Sequence, residues 1–184
     1  MPAKKSITKQ MILDKAIELL IEKGIESLNA REIAKSLNCS TQPLYTSFKN
    51  MEELKNEIII KCQQIYTSFI QSSYQNEETV YMKYLMSYID FARVYPRIFE
   101  CLYMRETQIT SQMEDFNEMI IRKIMEVSGL SKEKSQTFFI TSWIFAHGIA
   151  TQIITGYIKW DMATVRYFLL EEFKALKLSL EVNK

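Results

Sequence analysis

The chain has 184 residues and a net charge of +1, and 47% of it is apolar, with ten Phe, ten Tyr and ten Met. So small a net charge points to no particular partner. Four Gly and three Pro, with no alternating β-branched runs, argue against a sheet protein, and the expected fold class is all-α.

The basic tail comes first. Lys4, Lys5 and Lys9 precede any acid, the first being Asp14. Residues 7–23 then place Ile12, Ala16, Leu19 and Leu20 on one helical stripe, and Gly24 follows where a left-handed cap is favoured. Asp14, Glu18 and Glu22 interrupt this segment, which excludes a secretory h-region there. In "ESLNAREIAKSL", Asn29 caps a helix and Glu32 completes a capping-box-like pattern, with Ile33, Ala34 and Leu37 as its apolar face. Asn38-Cys39-Ser40 reads as a turn. In "CSTQPLYTSFKN" Ser40 is expected to cap a short helix with Pro43 in its first turn, where a missing N–H costs nothing. Leu44 and Phe48 anchor that helix. Two short helices joined by about three residues after a longer one form a helix-turn-helix.

A connecting helix is expected from Met51-Glu52-Glu53 to about residue 74, followed by a polar break at "QNEE". Further helices are expected over 78–94, 96–106, 110–127, 132–158 and 162–181. Ser135 to Ile158 carry no formal charge, a length that would span a bilayer, but nine Ser, Thr, Gln and His residues scattered over all faces favour a long buried helix. Gly148 and Gly156 inside it point to close helix approach. Cys39, Cys62 and Cys101 form no Cys-x-x-Cys pattern, and His147 is the single histidine. No metal or cofactor site is expected, and free thiols suit a reducing, cytoplasmic setting. No nucleophile–base pair and no Gly-rich phosphate loop supports an enzyme.

The ordered set Ala16, Leu19-Leu20, Lys23-Gly24, Asn29, Ile33-Ala34, Leu44-Tyr45, Phe48 and Glu53-Leu54, within residues 8–54, resembles the DNA-binding domain of the TetR family of transcriptional regulators. Trp143-x-x-x-His147-Gly148 is similar to the WHG C-terminal domain of some of these regulators. The resemblance implies a helix-turn-helix domain over 1–50, a helical ligand-binding and dimerisation domain over 51–184, and about nine helices. Four positions depart from the family pattern: Asn29 where Thr is the usual cap (a benign change, because Asn caps as well), Asn38 where Gly is usual, Cys39 where a β-branched residue is usual, and Met51 where a phosphate-contacting Lys is usual.

A recognition helix reads the major groove with its N-terminal residues, which makes Thr41, Gln42, Pro43 and Thr46 the candidates for base contacts. Ser40, Tyr45, Lys49 and the cap residues Asn29, Ala30 and Arg31 are the candidates for backbone contacts, with salt-dependent support from the tail. For a small-molecule effector the candidates are Tyr66, Phe69, Tyr88, Phe91, Phe99, Tyr103, Met119, Trp143 and His147, aromatic-rich with few polar tips. The last two helices are the expected homodimer surface, through Ile144, Thr151, Ile158, Phe168, Leu169, Phe173 and Leu176. A two-fold dimer implies a palindromic operator with reading heads ~34 Å apart. The expected function is repression relieved by an effector. A regulator without an effector, acting through protein partners, or an activator, is the alternative.

Overall fold

The computed structural model describes residues 6–77, 79–105 and 111–182. Among them every regular element is helical: α1 (Lys9–Lys23), a 3-10 turn (Ile25–Ser27), α2 (Ala30–Ser36), α3 (Gln42–Ser47), α4 (Met51–Ser72), α5 (Val80–Val94), α6 (Pro96–Tyr103), α7 (Ser111–Ser128), α8 (Lys132–Ile154) and α9 (Met162–Val182). The all-α expectation holds. Contacts divide the described residues into two compact units, one running to residue 65 and taking in 95–105, the other comprising 66–94 and the residues from 111 on. Helix α4 therefore begins in the first unit and ends in the second, and the expected division after residue 50 coincides with its start.

In the first unit, Thr8 opens α1 by accepting the Met11 N–H at 3.2 Å. Ile12, Ala16, Leu19 and Leu20 are buried as one stripe. Gly24 ends the helix with φ 81° and ψ 179°, a region open essentially to glycine but extended rather than left-handed as expected. Its N–H still closes on the Leu20 carbonyl at 2.9 Å. Asn29 caps α2 through the Glu32 N–H at 3.0 Å. The reciprocal half of the expected capping box is not made: the Asn29 N–H goes to the Ser27 carbonyl, and the Glu32 carboxylate lies 4.0 Å from Lys23 Nζ.

The turn between α2 and α3 has a definite geometry. Cys39 N–H bonds the Ala34 carbonyl at 3.0 Å and Asn38 N–H bonds the Lys35 carbonyl at 3.1 Å, a Schellman closure around Asn38 at φ 52°. Asn tolerates that left-handed conformation, so it replaces Gly without undoing the turn. Asn38→Gly is expected to keep stability within about 1 kcal/mol, whereas the β-branched Asn38→Val costs about 1–2 kcal/mol by forcing Cβ against the carbonyl. Urea midpoints of the two variants check this.

Ser40 does not cap α3, contrary to expectation. Thr41 precedes the helix in a helical conformation (φ −74°, ψ −11°) with no side-chain cap, and its carbonyl receives Leu44 and Tyr45 N–H directly. The start of α4 has a fuller device. Asn50 Oδ1 accepts the Glu53 N–H at 2.8 Å, and Glu53 Oε2 reaches back to the Lys49 N–H at 2.6 Å. Leu44, Phe48, Leu54 and Ile58 complete the core with the α1 and α2 stripes, each buried side chain contributing about 1.5–3 kcal/mol. Helix α6 packs on α1 and brings buried Cys101 into this unit, where it shares a hydrogen bond with buried Cys62. Cys39 stands half-exposed in the turn.

In the second unit α8 packs against α5, α7 and α9. It is capped by Ser131 and ends at Ile154, four residues short of the expected end, because Gly156 adopts φ 75° and turns the chain. Gly156 is thus a terminator and not an interior glycine. At Gly148 a Cβ would meet nothing within 4 Å, so no close approach occurs there within the chain. Helix α8 is long and apolar enough to cross a membrane, and it is not the wholly buried helix expected. One face carries buried Phe138, Phe139, Ser142, Ala146 and Ile149, and another exposes Ile140, Ile144 and Phe145.

One polar cluster ties α5, α8 and α9. Tyr81 Oη lies 2.6 Å from Ser142 Oγ and 2.9 Å from Glu172 Oε2, and Ser142 Oγ lies 2.8 Å from Glu172 Oε1. Three contacts need three protons, but two hydroxyls supply two; a proton on Glu172 closes the ring. Burial raises the Glu172 carboxyl above its ordinary value, against the lowering effect of the two hydroxyls. A raised folded-state pKa means that this group favours folding most below its unfolded value near 4.5 and loses that contribution as pH rises through the folded value. Glu172→Gln, a neutral stand-in, is therefore expected to gain stability relative to the parent chain between pH 4.5 and 7.5. Denaturant midpoints at the two values test it; an unchanged difference rejects it.

Candidate functional site

The reading end of α3 is built from outside inward. Leu44 and Phe48 are 1% and 3% exposed and fix the helix to the core, which turns its other side to solvent. Ser40, Gln42, Tyr45, Thr46 and Lys49 are exposed, and Thr41 and Pro43 half-exposed. Ser40, Gln42, Pro43 and Thr46 line one open depression of about 820 Å3, together with Ser6, Ile7, Lys35, Asn38, Cys39 and Ser47. Four of the expected DNA-facing residues are therefore brought together on one surface. Thr46 Oγ donates to the Gln42 carbonyl at 3.0 Å, which leaves its methyl and lone pairs available. The Gln42 amide has no protein partner among the described residues, so both its donor and acceptor are available to a base edge.

The backbone-facing candidates separate by what they already bind. Asn29 is committed at both ends, its Oδ1 to Glu32 N–H and its Nδ2 to the Glu26 carbonyl at 3.4 Å. Arg31 is exposed with no carboxylate partner among the described residues, and Ala30 is half-exposed beside it. Tyr45, 56% exposed, is not an edge-of-core ring. Lys9 is drawn into the fold: its Nζ lies 2.8 Å from Glu57 Oε1 and 5.0 Å over the Phe48 ring. Lys4 and Lys5 lie outside the described residues. Lys35 was not among the candidates, yet it lines the depression from the last turn of α2. Its spacing from the turn, three residues before Asn38, was the available signal.

In the second unit six of the nine effector candidates form one cluster. Tyr88 Oη and His147 Nδ1 share a hydrogen bond of 2.8 Å, and Trp143 stacks on His147 with ring centroids 5.3 Å apart. Tyr66 packs edge-on to Tyr88 and Phe91, and Phe69 to Phe91. Burial lowers the His147 pKa from its ordinary value, which favours a neutral imidazole at neutral pH. Met119 is exposed on α7. Phe99 and Tyr103 belong to the first unit, where their rings lie 5.1 Å apart.

The dimer candidates separate by face. Ile144 is 59% exposed and Phe168 36% exposed, stacked on Trp160 at 4.5 Å. Thr151, Ile158 and Leu176 are half-exposed. Leu169 is fully buried within the chain, and Phe173 packs against Tyr81 and Phe138. The α9 stripe read as one surface is thus two: an inner edge that fills the core and an outer edge at Phe168 and Leu178.

Comparison with known proteins agrees with this geometry. Residues 12–58 match the family described as "Bacterial regulatory proteins, tetR family". The chain is also 24% identical over 123 residues to the biofilm operon icaADBC HTH-type negative transcriptional regulator IcaR of Staphylococcus epidermidis. That similarity covers 65% of this chain and 63% of the relative's length. With the ordered motif, the exposed reading helix and these matches in accord, residues 12–58 form a helix-turn-helix domain of the kind found in bacterial regulatory proteins of the tetR family.

Proposed function

We propose that the chain acts as a cytoplasmic repressor that binds a palindromic operator as a homodimer and is released by a small-molecule effector, without catalysis. The observation that carries the DNA-binding part is the joint exposure of Ser40, Gln42, Pro43 and Thr46 on one depression over a buried Leu44–Phe48 anchor. Repression is supported by the relative, a negative transcriptional regulator.

The dimer reading rests on the outer faces of the last two helices. Ile140, Ile144 and Phe145 on α8 with Phe168 and Leu178 on α9 leave apolar area in solvent, an arrangement that a second copy would cover. Open space at Gly148 on α8 would let the partner backbone approach closely. The effector reading rests on the Tyr66–Tyr88–Phe91–Trp143–His147 cluster. Its inner rings are already packed, with Tyr88 and Phe91 fully buried, so a ligand must select a state in which they part. To empty the operator it must favour that state by a few kcal/mol.

Operator selection from a random duplex library, followed by a mobility-shift titration, tests the reading. A selected site with two-fold symmetry, bound by a dimer in gel filtration, supports it. Binding that never discriminates among sequences, or a stable monomer at micromolar concentration, rejects it. If no small molecule releases the complex, the effector-free alternative stands instead.

A further inference from the structure

In the second unit, the start of α5, the end of α7 and the facing sides of α8 and α9 enclose a cavity of about 150 Å3. Its apolar walls are Val80, Tyr81, Ile124, Val127, Phe138 and Phe173. The three rings pack together with centroids 5.2 to 5.4 Å apart. Val127 and Val80, 67% and 42% exposed, stand at the rim and mark the way in.

Most polar groups of the lining are engaged elsewhere. Thr79 Oγ accepts the Met82 N–H at 3.2 Å. Ser128 Oγ donates to the Ile124 carbonyl at 2.6 Å and accepts the Leu130 N–H at 3.2 Å. Lys123 pairs with Glu126 at 2.6 Å. Tyr81 Oη is held by Ser142 and Glu172. A polar guest would give up its hydration for little more than the Thr79 hydroxyl proton, and water, which needs two to four polar partners, fares no better. An apolar guest gives up nothing. The Tyr81 anchor also fixes one wall in advance, which lowers the ordering cost of binding.

Size narrows the class further, since apolar cavities of about 150 Å3 are known to take up benzene. We propose that this cavity is a binding site for a neutral single-ring aromatic hydrocarbon of benzene or toluene size, separate from the Tyr88–Trp143–His147 cluster. The site stands whether or not its occupancy affects DNA, so its test needs no operator.

Toluene, titrated into the full-length chain below its aqueous solubility, is the probe, read by ligand-observed NMR and by the shift in Tm. Saturable binding of one equivalent with a saturating rise in Tm is expected. Phenol, whose hydroxyl would be incompletely paired, is expected to bind more weakly by about tenfold. Ile124→Phe fills the space and is expected to abolish toluene binding. Val127→Lys, a change at a solvent-exposed rim position, should weaken it with the fold intact by circular dichroism. Trp143→Ala should leave it as it is. Absence of saturable binding overturns the proposal, and so does binding that survives both cavity variants or disappears with Trp143→Ala.

Discussion

Phe48→Ala is expected to destabilise the first unit by about 3–5 kcal/mol. The ring is 3% exposed and closes α3 at its C-terminal end. Truncating it removes the contacts that fix the reading helix and leaves a cavity that helices of six and seven residues are poorly able to refill. Against a total stability of about 5–15 kcal/mol for a typical domain, that loss populates the unfolded unit appreciably. Phe48→Leu keeps most of the volume and should cost no more than about 1.5 kcal/mol. Lys9 supplies a control, because it touches the same ring from solvent and pairs with Glu57 at an exposed site. Lys9→Met should cost less than about 1 kcal/mol. Chemical denaturation of the three variants gives the order, and a Phe48→Ala midpoint equal to that of Lys9→Met would remove Phe48 from its anchoring role.

The parts of the fold that were legible in the sequence are those written in short range. The α1 stripe, the Asn29 cap and the Pro43 position depend on residues within one or two helical turns, and each is found where the spacing placed it. Asn-x-x-Glu at 50–53 is equally legible as a capping signal, beside the acids that suit the start of α4. The Ser40 cap failed for a local reason that spacing does not display. The Schellman closure consumes Asn38 and Cys39, and Thr41 is already helical, so the first turn closes on a backbone carbonyl rather than on a hydroxyl.

Partners far along the chain leave no mark in local spacing. Lys9 is separated by 48 residues from Glu57, and no tail-charge argument reveals that the fold has claimed it. The two faces of α8 were illegible for a different reason. Hydrophobic periodicity locates the buried side of a helix by contrast with a polar one, and here the exposed side carries Ile140, Ile144 and Phe145. The same lack of contrast hid the division of α9 into an inner edge at Leu169 and Phe173 and an outer edge at Phe168. Aromatic density likewise foresaw a cluster around Tyr88 and His147 but not that Phe99 and Tyr103 pack in the first unit, since composition carries no address.

Gln42→Ala is expected to weaken binding to the selected operator by about 1–3 kcal/mol while leaving affinity for random duplex unchanged. The side chain is exposed at the first position of α3 and its amide has no protein partner among the described residues, so its removal should not disturb the fold. A Gln amide can donate to and accept from the N6/N7 edge of adenine at once, and that bidentate match is lost outright in Ala. Arg31→Ala and Lys49→Ala should behave oppositely. Phosphate contacts are blind to sequence, so each should weaken specific and random binding alike and lower the salt slope by about one. The two patterns separate reading from positioning without a structure of the complex. Should Gln42→Ala lose equally on both duplexes, the residue belongs to the backbone set, and Thr41, Pro43 and Thr46 must carry the discrimination through methyl and ring contacts to thymine. Met51 enters the same comparison: if the position contacts phosphate in the manner of the usual Lys, Met51→Lys should tighten binding to both duplexes and steepen the salt dependence, with no change in the preferred site.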